Sequence, residues 1–225
     1  MCRRSGLQGR RAALVVLVLA VSLFLSGCNG KQNVEQDVVI WDAEHKPVFP
    51  PKAFSIFVSE LESSGLAVVE GGVKDIHAGG AYIIAGPTKR FEESEVTQIE
   101  EFVKRGGKLI IMVHIPPSNL KPLLDTFGIE VSPEPLKERE VSAFPAYPHV
   151  LTEGVHKIVL YGCFRVSNPL FKTKTGVGVV GYKEYGEGEV LVIGDDALFI
   201  DEYIRSASNL DYARNIARWL GLRSV

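Results

Sequence analysis

Five consecutive apolar residues, Leu109 to Val113, follow a Gly106-Gly107 stop in the stretch Arg105 to Pro116. A run with no polar alternation describes a strand covered on both faces, the situation of parallel α/β sheets. That strand ends at His114, followed by Ile115-Pro116-Pro117. In open parallel sheets ligands bind just beyond the carboxyl ends of the strands, so the residue type at such an end bears on chemistry. Neither a Gly-x-Ser-x-Gly elbow nor a cysteine version of it occurs in the chain, which removes the usual acyl-transfer nucleophile.

Other segments supply the covering layers. Val38 to Trp41 reads as a first buried strand ending in the polar cluster Asp42-Ala43-Glu44-His45. Phe54, Phe57, Val58 and Leu61 fall on one helical face, with Gly65 at the C′ position. Leu66 to Val69 and Ala81 to Ala85 read as strands, joined by a Gly-rich linker from Gly71 to Gly80, and Gly86-Pro87 closes the second. The next helix has Glu92, Glu93 and Glu95 at its amino end and Lys104 and Arg105 at its carboxyl end. Those charges complement the helix dipole. Ser118 or Asn119 can cap a short helix that buries Leu120, Leu123, Leu124 and Phe127 and stops at Gly128. The order β-α-β-β-α-β-α, with right-handed crossovers, predicts a doubly wound, mostly parallel sheet with helices on both faces.

Beyond Gly128 the pattern changes. Ser132 to Pro148 holds Pro133, Pro135, Pro145 and Pro148 and reads as a loop crossing the sheet edge, because proline denies a central strand its donors. Lys157 to Val166 and Gly176 to Lys183 read as strands. The second turns through Tyr185-Gly186-Glu187-Gly188 into Glu189 to Gly194, a C-terminal β-hairpin ending in Asp195-Asp196. A final helix opens with Ser208-Asn209-Leu210-Asp211 and stops at Gly221.

The amino terminus carries its own signal. Arg3, Arg4, Arg10 and Arg11 precede an apolar stretch from Ala12 to Leu25, shorter than the ~20 residues that span a bilayer. Leu25-Ser26-Gly27-Cys28 resembles the bacterial lipobox, which implies cleavage before Cys28 and lipidation of that cysteine. The expected organisation is a lipoprotein signal peptide over 1–27, a lipidated cysteine and tether over 28–37, and one α/β domain over 38–225. The expected location is the bacterial cell envelope, with the lipid holding the chain on a membrane. Only Cys28 and Cys163 remain after cleavage, so no disulfide framework is available. The net charge of −2 includes the four arginines of the leader, and the acidic remainder argues against a nucleic-acid partner.

Several stretches together are similar to a known family: D-A-E-H at 42 to 45, A-Y-I-I-A-G-P at 81 to 87, E-V-T-Q-I-E-E-F-V-K-R-G-G-K-L-I-I at 95 to 111, Y-G-E-G-E-V-L-V-I-G-D-D-A-L-F at 185 to 199 and N-L-D-Y-A-R-N-I-A-R-W-L at 209 to 220. They resemble an exported domain family of unknown function within the class I glutamine amidotransferase-like superfamily, whose relatives include accessory subunits of gliding-motility-type ABC transporters. The resemblance implies a flavodoxin-like α/β domain. It carries over no glutaminase triad, because M-V-H-I-P stands where that superfamily has Gly-x-Cys-x-Gly.

With this strand order, Asp42, Glu44, His45, Gly86, His114, Asp195 and Asp196 lie at carboxyl ends, and Asn209 opens the last helix nearby. Such a rim suits ligand binding or proton transfer. In a plainer account Asp42 and Asp195 cap loop amides and the histidines are ordinary hydrogen-bonded residues. No helical His-Glu-x-x-His or other tight ligand spacing supports a metal, and no cofactor motif is present. Gly186 and Gly188 fit a hairpin turn better than a phosphate loop. Cys163 reads as a buried inert thiol. Two functions follow as expectations: a non-catalytic binding or scaffolding module serving a membrane transporter or envelope assembly, or an envelope hydrolase using the acidic and histidine rim.

Overall fold

A computed structural model describes residues 37–222. The leader, Cys28 and nearly all of the tether lie outside the described residues. The fold is mixed α/β, built on a nine-stranded sheet with four α-helices packed on it. Five strands run mutually parallel: β1 (Val38–Asp42), β2 (Ala67–Gly71), β3 (Ala81–Ala85), β4 (Lys108–Met112) and β11 (Gly188–Ile193). Their spatial order is β2-β1-β3-β4-β11.

Alternate side chains of these strands enter two separate cores, as the period-two geometry of a strand requires. Val39 and Trp41, Ile83, and Ile110 and Met112 face one side, where α1 (Ser55–Ser63) and α4 (Asn209–Gly221) cover them. Ile40, Tyr82 and Ile84, and Leu109 and Ile111 face the other, beneath α2 (Glu93–Lys104) and α3 (Lys121–Phe127). Trp41 anchors the first core, its ring 5.2 Å from Phe54 and 6.3 Å from Phe57. Each fully buried large apolar side chain of this kind contributes about 1.5–3 kcal/mol. No helix among the described residues is long and apolar enough to cross a membrane.

The local signals explain most boundaries. Glu95 accepts a hydrogen bond from the Glu92 amide at 2.7 Å and so satisfies one of the free donors at the start of α2. Gly128 ends α3 with φ +61°, a conformation glycine adopts without steric cost.

Four readings of the sequence need correction. The linker from Gly71 to Gly80 contains a 3-10 helix, Val73–Ala78, which buries Val73 and Ile76 against the second core. Neither Ser118 nor Asn119 caps α3; both lie in a 3-10 turn, Pro117–Asn119, and Leu120 precedes the helix. Ser132 to Pro148 is not a loop: it forms most of β5 (Val131–Pro135) and all of β6 (Glu140–Pro145). The prolines of β5 are tolerated because that strand pairs only with β8 (Phe164–Val166), outside the large sheet. In β6 the sole proline is terminal, so residues 140–143 keep their amides for pairing with β7 (Ile158–Tyr161). Finally, Lys157 to Val166 is two strands, β7 and β8, broken at Gly162 with φ +77°. Together with β9 (Pro169–Lys172) and β10 (Gly178–Tyr185), β6 and β7 extend the sheet beyond β11 as an antiparallel wing.

Candidate functional site

The carboxyl ends of β1, β3, β4 and β11 carry the polar residues, but these form two networks. No side-chain hydrogen bond joins the two among the described residues. Asp42 ends β1 and is buried. Its Oδ1 lies 2.9 Å from His45 Nδ1 and accepts the Tyr82 hydroxyl at 2.8 Å. His45 is fully buried, stacks on Phe91 at 3.6 Å between ring centroids, and places Nε2 3.3 Å from Glu95 Oε2. Burial disfavours the imidazolium, yet hydrogen bonds and charge from Asp42 and Glu95 outweigh it and raise the pKa. Both ring nitrogens face carboxylates within the protein, so this network ties the loop after β1 to the start of α2. Glu44 points elsewhere, exposed and paired with Lys74 at 2.9 Å.

The second network sits where β3, β4 and β11 end together. His114 Nδ1 lies 2.7 Å from Asp196 Oδ1, and the ring edge meets Phe49 at 4.9 Å. The His114 side chain is 27 % exposed while Asp196 is completely buried. The hydrogen bond to Asp196 lifts the imidazole pKa, with burial opposing. Burial lifts that of Asp196, with the His114 hydrogen bond opposing. Asp196 Oδ2 is buried and has no hydrogen-bond partner among the described residues. Asp195 accepts the Tyr161 amide at 2.5 Å and the Ala197 amide at 3.0 Å. Burial nevertheless pushes its carboxyl up to about 7, against the Tyr161 hydrogen bond and with help from the Asp196 charge.

Gly86, at the end of β3, has φ +50°, and a Cβ there would lie 2.9 Å from both Asp196 Oδ2 and His114 Cβ. The residue therefore sets how closely β3 approaches the His114–Asp196 pair. Gly86→Ala is expected to cost about 1–3 kcal/mol, from a strained left-handed backbone plus overpacking. Chemical denaturation would measure it, and an unchanged midpoint would show that the close approach is not needed.

Asn209 does not join the rim. Its amide is buried and pairs with both backbone groups of Val159, donating at 2.9 Å and accepting at 2.8 Å. Cys163 is buried, and burial holds its thiol well above the ordinary range, which makes it a poor nucleophile. Sequence reading overlooked Tyr82, Glu95 and Phe91, although the Glu92/Glu95 cap already placed a carboxylate at the start of α2. It had no means of finding Phe49, whose position against His114 is tertiary.

Residues 51–217 match a family described as "Domain of unknown function (DUF4350)", which spans β3, β4 and β11 and hence His114, Asp195 and Asp196. The chain belongs to the DUF4350 family. No curated protein matches it in sequence. Solved structures show how widely the DUF4350 architecture recurs. One described as "mmIFT52 N-terminal domain" is 17 % identical at TM-score 0.70, over 83 % of this chain and 99 % of that one. The cytoplasmic protein STM1381 from Salmonella typhimurium LT2 is 14 % identical at TM-score 0.61, over 81 % and 99 %. A β-galactosidase from Rahnella sp. R3 is 18 % identical at TM-score 0.58, with 84 % of this chain aligned to 32 % of that enzyme. At such identities the likeness is one of fold.

Proposed function

We propose that this DUF4350 chain is an envelope lipoprotein held on a membrane through Cys28, whose domain acts as a non-catalytic binding or scaffolding module, accessory to a transporter of the ABC type. The observation that carries the non-catalytic part is the end of β4: His114 hydrogen-bonds a buried carboxylate there and is followed by Ile115-Pro116-Pro117, so no serine or cysteine stands directly at the strand's end. The parallel order β2-β1-β3-β4-β11 follows the flavodoxin-like sequence of strands, which supports reading the domain as doubly wound and amidotransferase-like without the amidotransferase chemistry. The envelope part rests on the lipobox and on the resemblance.

The test is extraction of the full chain from its native membrane in mild detergent, followed by affinity capture and mass spectrometry. Co-recovery of membrane permease and ATPase subunits is expected. A protein recovered alone, or an unmodified amino terminus upstream of Cys28, would overturn the reading.

One observation favours a second reading, a hydrolase. An imidazole oriented by a carboxylate through Nδ1, with partial exposure, is a general-base arrangement. It requires turnover in an ester, amide or glycoside panel that falls about 10²–10⁴-fold in His114→Ala. No activity across the panel would leave that reading without content.

A further inference from the structure

We propose that His114, Asp195 and Asp196 form a binding site for a single divalent transition-metal ion, zinc or manganese. One donor atom from each of the three lies within 4.8 Å of the other two. Bonds of about 2.0–2.2 Å bring donors on one ion to within about 4.4 Å of each other, so the three close on a shared ion with a small adjustment of their side chains. Residues 114 and 195–196 come from the ends of adjacent parallel strands, β4 and β11, whose register sets Met112 opposite Ile193. The site is therefore built into the sheet, and no sequence spacing could announce it.

Independent of the cluster's composition is the state of Asp196 Oδ2. Its residue is completely buried, and the atom has no donor among the described residues. On one side the atom faces Gly86, which has no side chain to offer a partner. A buried carboxylate oxygen left without a donor loses its hydration without compensation. A cation satisfies it directly. Charge points the same way: Asp195 and Asp196 are adjacent and buried beside one imidazole, and without a cation burial favours their protonated forms. A divalent ion would supply the positive charge that keeps both ionised while leaving His114 neutral and able to ligate.

The donor set narrows the ion. Calcium and magnesium favour all-oxygen shells, whereas one imidazole with two carboxylates suits zinc or manganese. Three protein donors leave at least one position for water or for a group on a partner, the open arrangement of non-structural zinc sites. Partial exposure of His114 provides the approach. The inference stands apart from the identity of any partner, so metal uptake can fail while co-recovery of a transporter succeeds, and the reverse.

The experiment uses the full chain in detergent, without a polyhistidine tag, stripped with chelator and titrated with Zn²⁺ and separately with Mn²⁺ by calorimetry. Bound metal is counted by atomic absorption. One equivalent is expected, with affinity reduced at least about 100-fold in both Asp196→Asn and His114→Ala, and unchanged in Asp125→Asn, an exposed carboxylate on α3. Circular dichroism establishes folding of each variant. Should Asp196→Asn not fold, His114→Ala, altered at a partly exposed position, decides alone. Absence of uptake by the wild type, or uptake equal in the wild type and in the folded variants, would overturn the proposal.

Discussion

In metal-free protein, raising the pH from about 4 to about 8 is expected to destabilise the fold through Asp195, and Asp195→Asn is expected to remove most of that slope. The carboxyl is pushed up to about 7 in the folded state, chiefly by burial, against about 3.9 when unfolded. Between those values the unfolded chain has released a proton that the folded chain retains. The unfolded state binds fewer protons, so unfolding becomes easier as pH rises. Well below pH 4 the two states are protonated alike and no penalty exists. Three pH units set a ceiling of about 4 kcal/mol on the loss. His114 acts in the same sense, because its raised pKa gives stability that is present below its unfolded value and lost as pH passes through the folded one. Asparagine keeps one acceptor but turns an amide donor toward either the Tyr161 or the Ala197 N–H, both of which Asp195 now receives. The variant should therefore be the less stable protein near pH 4, with the gap closing or reversing by pH 8. Urea unfolding of both proteins across this range would measure it. Parallel curves would show that Asp195 titrates normally.

Asn209→Ala is expected to cost roughly 2–5 kcal/mol, the summed penalty of two buried backbone groups left unpaired. β7 is the outer strand of the antiparallel wing, paired with β6 on one side only. On the other side the Asn209 amide receives the Val159 N–H and donates to its carbonyl, doing for one residue what another strand would do. The same nitrogen reaches toward the Tyr203 carbonyl at 3.3 Å. Asn209→Asp keeps the acceptor and lacks the donor, so an intermediate loss is expected. A change below about 0.5 kcal/mol for alanine, by urea unfolding, would rule out this clamp and return Asn209 to the list of residues free to bind something.

The parallel strands were legible because burial on both faces leaves an unbroken apolar run, as in Leu109 to Val113, and α2 was legible from its end charges. The wing was not. β6 and β7 are short, β6 mixes glutamate, serine and proline with its apolar residues, and their pairing depends on partners distant in sequence. At the site, the strand ends identified Asp42, His45, His114, Asp195 and Asp196, since a polar residue after an apolar run marks where a strand leaves the core. Periodicity could not say that they divide into two networks. That division depends on Glu95 meeting His45 across 50 residues and on Asp196 meeting His114 across 82. Asn209 misled because an amide at a helix start looks the same whether it serves a ligand or the backbone of a neighbouring strand.

Lys108 opens β4 and sends its ammonium to the carbonyls of Trp219 and Leu222 at the end of α4. The last described turn of the chain is thereby held at the same end of the parallel sheet as Val38, where β1 begins. The described residues thus begin and end at that edge, a strand length of about 17 Å from the carboxyl ends. A pulling force delivered to Val38 would meet β1 between two hydrogen-bonded neighbours, β2 and β3, and would have to shear both ladders at once. Force applied at Val38 would thus be carried first by the backbone ladders of β1 and not by the hydrogen bond between His114 and Asp196.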